Sequence, residues 1–189
     1  MIESLEAIDR RLFLWLNGFH APWLDQVMYY LTEATVWIPM YLILLWLIYR
    51  VYNWKVMLWT LLAVGIIVTI CDRTSVELFK EVFQRYRPSR NLEIMDVVHT
   101  VNNYRGGLYG FVSSHATNHF GIATFLYLLL KGKYGMRASW LFLYAAIISY
   151  TRIYLGVHYP GDILGGALLG STVGVLVFLV FKRLILDRK

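Results

Sequence analysis

Four stretches of this chain, residues 34–49, 56–71, 138–151 and 163–181, run without a single charge and are strongly apolar. A fifth, 111–130, carries His115 and His119 but no formal charge. With flanking aromatics and snorkelling basic residues, each approaches the ~20 residues that span a ~30 Å hydrocarbon core. Inside lipid the backbone must satisfy its own hydrogen bonds, so these stretches are read as helices. Hydrophobic residues make up 58% of the chain and charged residues 16%. A soluble core of this size would leave large apolar patches in water, so a soluble globular domain is excluded. The lone cysteine, Cys71, excludes an internal disulfide framework and a Cys-rich metal site.

Orientation follows from the basic residues. If the five helices alternate, Arg50, Lys55, Lys131, Lys133, Arg137, Lys182, Arg183, Arg188 and Lys189 share one side, opposed there only by Asp187. The positive-inside rule makes that side cytoplasmic. The net charge of +6 is therefore assigned to membrane topology and not to nucleic acid. The other side mixes Arg73, Lys80, Arg85, Arg87, Arg90, Arg105 and Arg152 with Asp72, Glu77, Glu81, Glu93, Asp96 and Asp162. It is nearly balanced in charge yet dense in ionisable groups, which calls for a chemical reason.

The expected fold is all-α. It is a single domain, 1–189, built as a polytopic membrane bundle of five transmembrane helices over 34–182, with an extracytoplasmic loop at 86–112. Residues 2–16 alternate Ile2, Leu5, Ile8, Leu12 and Leu16 with Glu3, Glu6, Asp9 and Arg10, the pattern of an amphipathic helix on the membrane surface. Residues 1–33 are thus read as an interfacial segment, broken at Asn17-Gly18. The alternative is a sixth span through 12–31, which moves the N-terminus to the cytoplasm. There is no secretory n-region, internal repeat or low-complexity segment.

Ionisable groups beside a membrane span are costly and tend to be functional. Three clusters fall at the outer ends of the spans: Lys80 and Arg87 in KEVFQRYRP, Ser113, Ser114 and His115 in FVSSHATNHF, and Arg152, His158 and Asp162 in TRIYLGVHYPGD. Topology brings all three to one face. Two arginine forks and a lysine suit phosphate oxygens. Ser113 and Ser114 precede a helix whose N-terminus can face an anion. Two histidines can share the nucleophile and acid roles near neutral pH. His158 and Asp162 are four apart, so a carboxylate can hold one imidazole nitrogen and leave the other free to attack. The set fits phosphoryl transfer through a phosphohistidine.

The clusters resemble the three signature motifs of the type 2 phosphatidic acid phosphatase (PAP2) superfamily, K-x6-R-P, P-S-G-H and S-R-x5-H-x3-D. Here they read Lys80-x6-Arg87-Pro88, Val112-Ser113-Ser114-His115 and Thr151-Arg152-x5-His158-x3-Asp162. The resemblance implies that His158 is the nucleophile, oriented by Asp162, and that His115 protonates the leaving oxygen. It implies that Lys80, Arg87 and Arg152 hold the phosphoryl group, helped by Ser113 and backbone amides. It implies no metal and no cofactor, since three fixed cations can spread over the equatorial oxygens of the transition state. Val112 replaces the family's proline, Ser114 its glycine and Thr151 its serine. If Ser114 needs positive φ, it costs about 1 kcal/mol; if it does not, its hydroxyl adds a phosphate donor.

The resulting expectation is a lipid phosphate or diphosphate phosphatase of a bacterial inner membrane, its site on the extracytoplasmic face. Undecaprenyl diphosphate is the preferred substrate, with phosphatidylglycerophosphate, phosphatidic acid and lipid A as alternatives. A non-hydrolytic lipid-phosphate binder or translocator is the reading from another class, disfavoured because both histidines are present. His119 is read as structural or as a partner of His115, since HATNH lacks the glutamate of an HExxH zinc site. His20 and His99 are read as interfacial. Arg85, Arg90 and Arg105 either grip a second phosphate or are solvated. Gly166, Gly170 and Gly174 form two overlapping GxxxG patterns, read as bundle packing, with a homodimer face as the alternative.

Overall fold

A computed structural model describes residues 2–187, apart from the Ile2 side chain; the expectations for Ile2 packing, Arg188 and Lys189 lie outside the described residues. These are 78% helical and hold no strand. Helices α1 (Ile2–Asn17) and α2 (Pro22–Leu31) lead through a 3-10 turn to α3 (Ile38–Val51). Helix α4 (Trp54–Arg73) continues through a π-helical stretch, Thr74–Lys80, into the short α5 (Glu81–Phe83). After the outer loop come α6 (Ser114–Tyr134), α7 (Trp140–Tyr154) and α8 (Pro160–Phe181), with a last π-helical turn at Lys182–Leu186.

Three stretches are long and apolar enough to cross a membrane: Ala34–Val51, Trp54–Phe83 and Pro160–Leu186, of 18, 30 and 27 residues. The other two expected spans fall on helices α6 and α7. They do not meet the same measure, for different reasons. Helix α6 carries His115, Asn118 and His119 in its first turns and is the central helix, burying Phe125, Leu126, Leu129 and Leu130 against its neighbours. Helix α7 has 15 residues, about 22 Å at 1.5 Å per residue. A single span through 12–31 is not formed, because the chain leaves helical geometry between Asn17 and Pro22.

The caps follow local chemistry. The Asn53 side chain accepts from Val56 N–H at 3.0 Å and starts α4. Pro160 occupies the first turn of α8. Tyr52 Oη donates to the Leu129 carbonyl at 2.7 Å, and Val56 packs in a cleft with Leu184 and Ile185. The α3–α4 turn, the end of α6 and the end of α8 therefore share one end of the bundle. That gathers Arg50, Lys55, Lys131, Lys133, Lys182 and Arg183 together. The GxxxG glycines are used inside the chain. A Cβ at Gly170 or Gly174 would run into the Thr117 or Gly121 carbonyl of α6, and one at Gly166 would stand 2.7 Å from the Ser113 carbonyl. The stripe that could have served a homodimer is covered by α6.

The expectation for α1 needs correction. Leu5, Ile8, Leu12 and Trp15 do face outward. The opposite face, however, is shared between water and protein: Glu3 and Glu6 are exposed, whereas Asp9 and Arg10 are partly buried. Phe13 is fully buried, and the Asn17 amide donates to the carbonyls of His99, Ile153 and Tyr154 at 3.1, 3.0 and 2.9 Å. Asn17 is a pin between α1, the outer loop and the end of α7, as well as a helix stop.

Candidate active site

The outer loop doubles back in an ordered hairpin. Arg87 N–H donates to the Leu108 carbonyl at 3.0 Å, and Gly110 N–H to the Arg85 carbonyl at 2.8 Å. Ser113 N–H then donates to the Asp162 carbonyl at 3.0 Å, tying the start of α6 to the start of α8. Between α7 and α8, Gly156 turns at φ +72°, a left-handed conformation that favours glycine. Its carbonyl accepts from Ser89 N–H at 3.0 Å, so the third cluster is held against the first. The three separate sequence clusters converge at one end of the bundle, opposite the basic turns.

His158 is 1% exposed and Asp162 fully buried. His158 Nδ1 lies 3.3 Å from Asp162 Oδ2, which also accepts from Tyr159 N–H at 2.9 Å. Burial, reinforced by Arg87, Arg152 and Lys80, pushes the His158 pKa well below the ordinary histidine value. The imidazole is therefore neutral near pH 7, with Nδ1 turned to the carboxylate.

Arg152 is 1% exposed. Its terminal nitrogens donate to Thr32 Oγ1 at 2.6 Å and Tyr104 Oη at 2.8 Å. Its Nε is buried without a hydrogen-bond partner among the described residues, a costly state for a guanidinium unless an anion completes it. Arg87 anchors through Nε on the Tyr109 carbonyl at 3.1 Å. Burial and then Arg152 lower its pKa.

Lys80 Nζ donates to Ser114 Oγ at 2.6 Å, and Ser75 Oγ lies 2.7 Å from the same oxygen. Ser75 and Lys80 are five residues apart. An α-helix at 3.6 residues per turn puts such a pair on different sides. The i→i+5 period of the π stretch Thr74–Lys80 aligns them. Ser114 is the first helical residue of α6 and does not have positive φ, so the conditional strain at this position does not arise. Its hydroxyl holds Lys80 in place. The Ser113 hydroxyl caps α6, accepting from Ala116 N–H at 3.4 Å.

His115 lies in the first turn of α6, with Arg152 and His158 among its electrostatic neighbours. His119, one turn on, accepts or donates at Nδ1 with Tyr144 Oη at 3.0 Å, and Tyr144 Oη meets Tyr41 Oη at 2.6 Å. It ends a hydrogen-bonded chain beside His115, in keeping with a partner role. His99 is tied to Asp25 at 2.9 Å and its ring stacks on His20 at 3.8 Å. Neither is a bare interfacial residue.

Five contributors lay outside the sequence reading of the site: Asp9, Thr32, Ser75, Tyr104 and Gly110. Arg90 and Arg105 are exposed, whereas Arg85 is half-buried and engaged with Asp162 and Asp9. Gly110 backs the His–Asp pair: a Cβ there would stand 2.9 Å from Asp162 Oδ2 and 3.5 Å from His158 Nδ1.

Beside this pairing of imidazole, carboxylate, three cations and a second histidine stands the family itself: the chain belongs to the PAP2 superfamily, whose match covers residues 53–186. It is a phosphomonoester hydrolase of the PAP2 type. It is 38% identical to a lipid A 4'-phosphatase of Bacteroides thetaiotaomicron, across 97% of this chain and 81% of that one. It is 37% identical to a lipid A 4'-phosphatase of Porphyromonas gingivalis, across 95% of this chain and 75% of that one. The fold matches the crystal structure of a transmembrane PAP2-type phosphatidylglycerolphosphate phosphatase from Bacillus subtilis at TM-score 0.72, with 21% identity over 98% of this chain and 90% of that one.

Proposed function

We propose that this enzyme removes a phosphate monoester from a membrane glycolipid of the lipid A type. The observation that carries the chemistry is the gathering of Lys80, Arg87 and Arg152 as electrostatic neighbours of the buried His158, with Arg152 Nε buried and without a hydrogen-bond partner among the described residues. The two lipid A 4'-phosphatases among the relatives favour a sugar-borne phosphate over undecaprenyl diphosphate, the preference drawn from sequence.

In this reading Asp162 holds His158 Nδ1–H, and Nε2 attacks phosphorus. The P–O ester bond breaks, and His115 delivers a proton to the departing alcohol oxygen. His115 then takes a proton from water, whose oxygen attacks the phosphohistidine. Inorganic phosphate leaves and His158 is restored. The three cations spread over the equatorial oxygens throughout, so no divalent ion is required. Helices α6 and α7 complete five crossings, and the site lies at the extracytoplasmic boundary of the inner membrane.

The test is phosphate release by purified enzyme from a panel of lipid A, undecaprenyl diphosphate, phosphatidylglycerophosphate and phosphatidic acid. We expect lipid A to turn over fastest, undiminished in EDTA, and His158→Ala to lose roughly 10³-fold or more. Full activity in His158→Ala, or EDTA inactivation reversed by Mg²⁺, overturns the mechanism. Faster turnover of undecaprenyl diphosphate overturns the substrate.

A further inference from the structure

Helix α1 reaches the centre of the site through Arg85. One terminal nitrogen of Arg85 donates to Asp162 Oδ1 at 2.8 Å, the other to Asp9 Oδ2 at 2.8 Å. Asp9 Oδ1 accepts from Gly161 N–H at 2.8 Å, in the first turn of α8. A Cβ at residue 161 would stand 2.7 Å from Asp9 Oδ2, so the glycine admits this approach. The guanidinium lies over the Tyr159 ring, 4.1 Å from its centroid.

We propose that Asp9 and Arg85 are positioning residues. They extend the line Asp9–Arg85–Asp162–His158 and fix the attacking imidazole, which makes α1 a working part of the active site. The proposal rests on the phosphatase reading above.

The physical case is one of rotation. Asp162 Oδ2 is shared by His158 and the Tyr159 amide, which leaves its carboxylate free to pivot unless Oδ1 is also held. Arg85 holds it. A planar guanidinium with two fixed forks transmits orientation in a way a point charge does not. Asp9 grips the far side of that plane and is itself anchored to α8, so the guanidinium cannot turn away. The pairing also meets the cost of a fully buried carboxylate, which a single imidazole partner compensates poorly. Both terminal nitrogens of Arg85 are committed to carboxylates. This separates it from Lys80, Arg87 and Arg152 and argues against its gripping a second phosphate.

The experiment compares wild type, His158→Ala, Asp9→Asn, Arg85→Lys, Arg85→Ala and the Asp9→Asn/Arg85→Ala pair. It reads steady-state kinetics on lipid A and the Nδ1–H proton resonance of His158 in ¹⁵N-histidine-labelled protein, assigned by its loss in His158→Ala. We expect kcat to fall on the order of 10²-fold in Arg85→Ala with KM within about twofold, since a misplaced group costs rate and not binding. Asp9→Asn should fall less, Arg85→Lys should recover part of the loss, and the pair should be no worse than Arg85→Ala. The His158 resonance should move in each variant. A raised KM at retained kcat, additive losses with an unmoved resonance, or full activity in Arg85→Ala overturns the proposal. Asp9→Asn and Arg85→Lys keep the test decisive if Arg85→Ala does not fold. Absence of turnover in wild type would strike the phosphatase reading alone. The resonance still reports the relay.

Discussion

Gly110 shows how little room His158 has. Its backbone closes one side of the His158–Asp162 pair, and the added Cβ of Gly110→Ala would sit 2.9 Å from Asp162 Oδ2. Both partners are buried and neither can retreat into solvent. We expect kcat to fall by about 10- to 100-fold, with folding intact by detergent thermal melt; unchanged kcat would show that the loop gives way. The sequence disclosed the charged half of this site because the charges fall at recognisable spacings on three short segments. It did not disclose Gly110, Thr32, Tyr104 or Asp9. Their roles arise from contacts with residues 52, 120, 48 and 76 or more positions away, and no local pattern marks a glycine chosen for closeness or a threonine chosen for one guanidinium. Ser114 was legible as a departure from the family's glycine, but its partner was not. Only the fold puts Lys80 within reach of its hydroxyl.

At the scale of elements, hydropathy located all five bundle helices. It said nothing of the π stretch at Thr74–Lys80, whose phase depends on where Ser75 and Lys80 are held. For α1 the periodicity was right and the environment half read, since Glu3 and Glu6 stay exposed while Asp9 and Arg10 are partly buried. An amphipathic pattern distinguishes two faces, but the polar face can meet water or a polar seam of protein. Asn17 occupies that seam, joining α1 to three carbonyls and accepting from His99 N–H at 2.9 Å. Asn17→Ala leaves a buried N–H and crowded carbonyls without partners. We expect a loss of about 1–3 kcal/mol, read as a lowered Tm in detergent. Because α1 also carries Asp9, activity should fall at temperatures where the bundle remains helical by circular dichroism. Loss of helix and activity at one temperature would mean that α1 does not dock as a separate unit.

For the whole molecule, the decisive property is polarity along the bundle axis. The basic turns gather at one end and the phosphate-type site at the other, joined by the Trp54–Phe83 helix. At 30 residues that helix extends about 45 Å, beyond a ~30 Å hydrocarbon core, so its Lys80 end emerges at the headgroup level. A lipid-borne phosphate in the outer leaflet then meets the cations without leaving the membrane, provided the basic end is cytoplasmic. Single cysteines report this directly, because Cys71 is buried and shielded from reagent. Asp96 in the outer loop and Lys133 in the last turn of α6 are both exposed. In spheroplasts an impermeant maleimide should label Asp96→Cys at once and Lys133→Cys only after permeabilisation. The reverse pattern would place the site in the cytoplasm and remove the outer leaflet as its source of substrate.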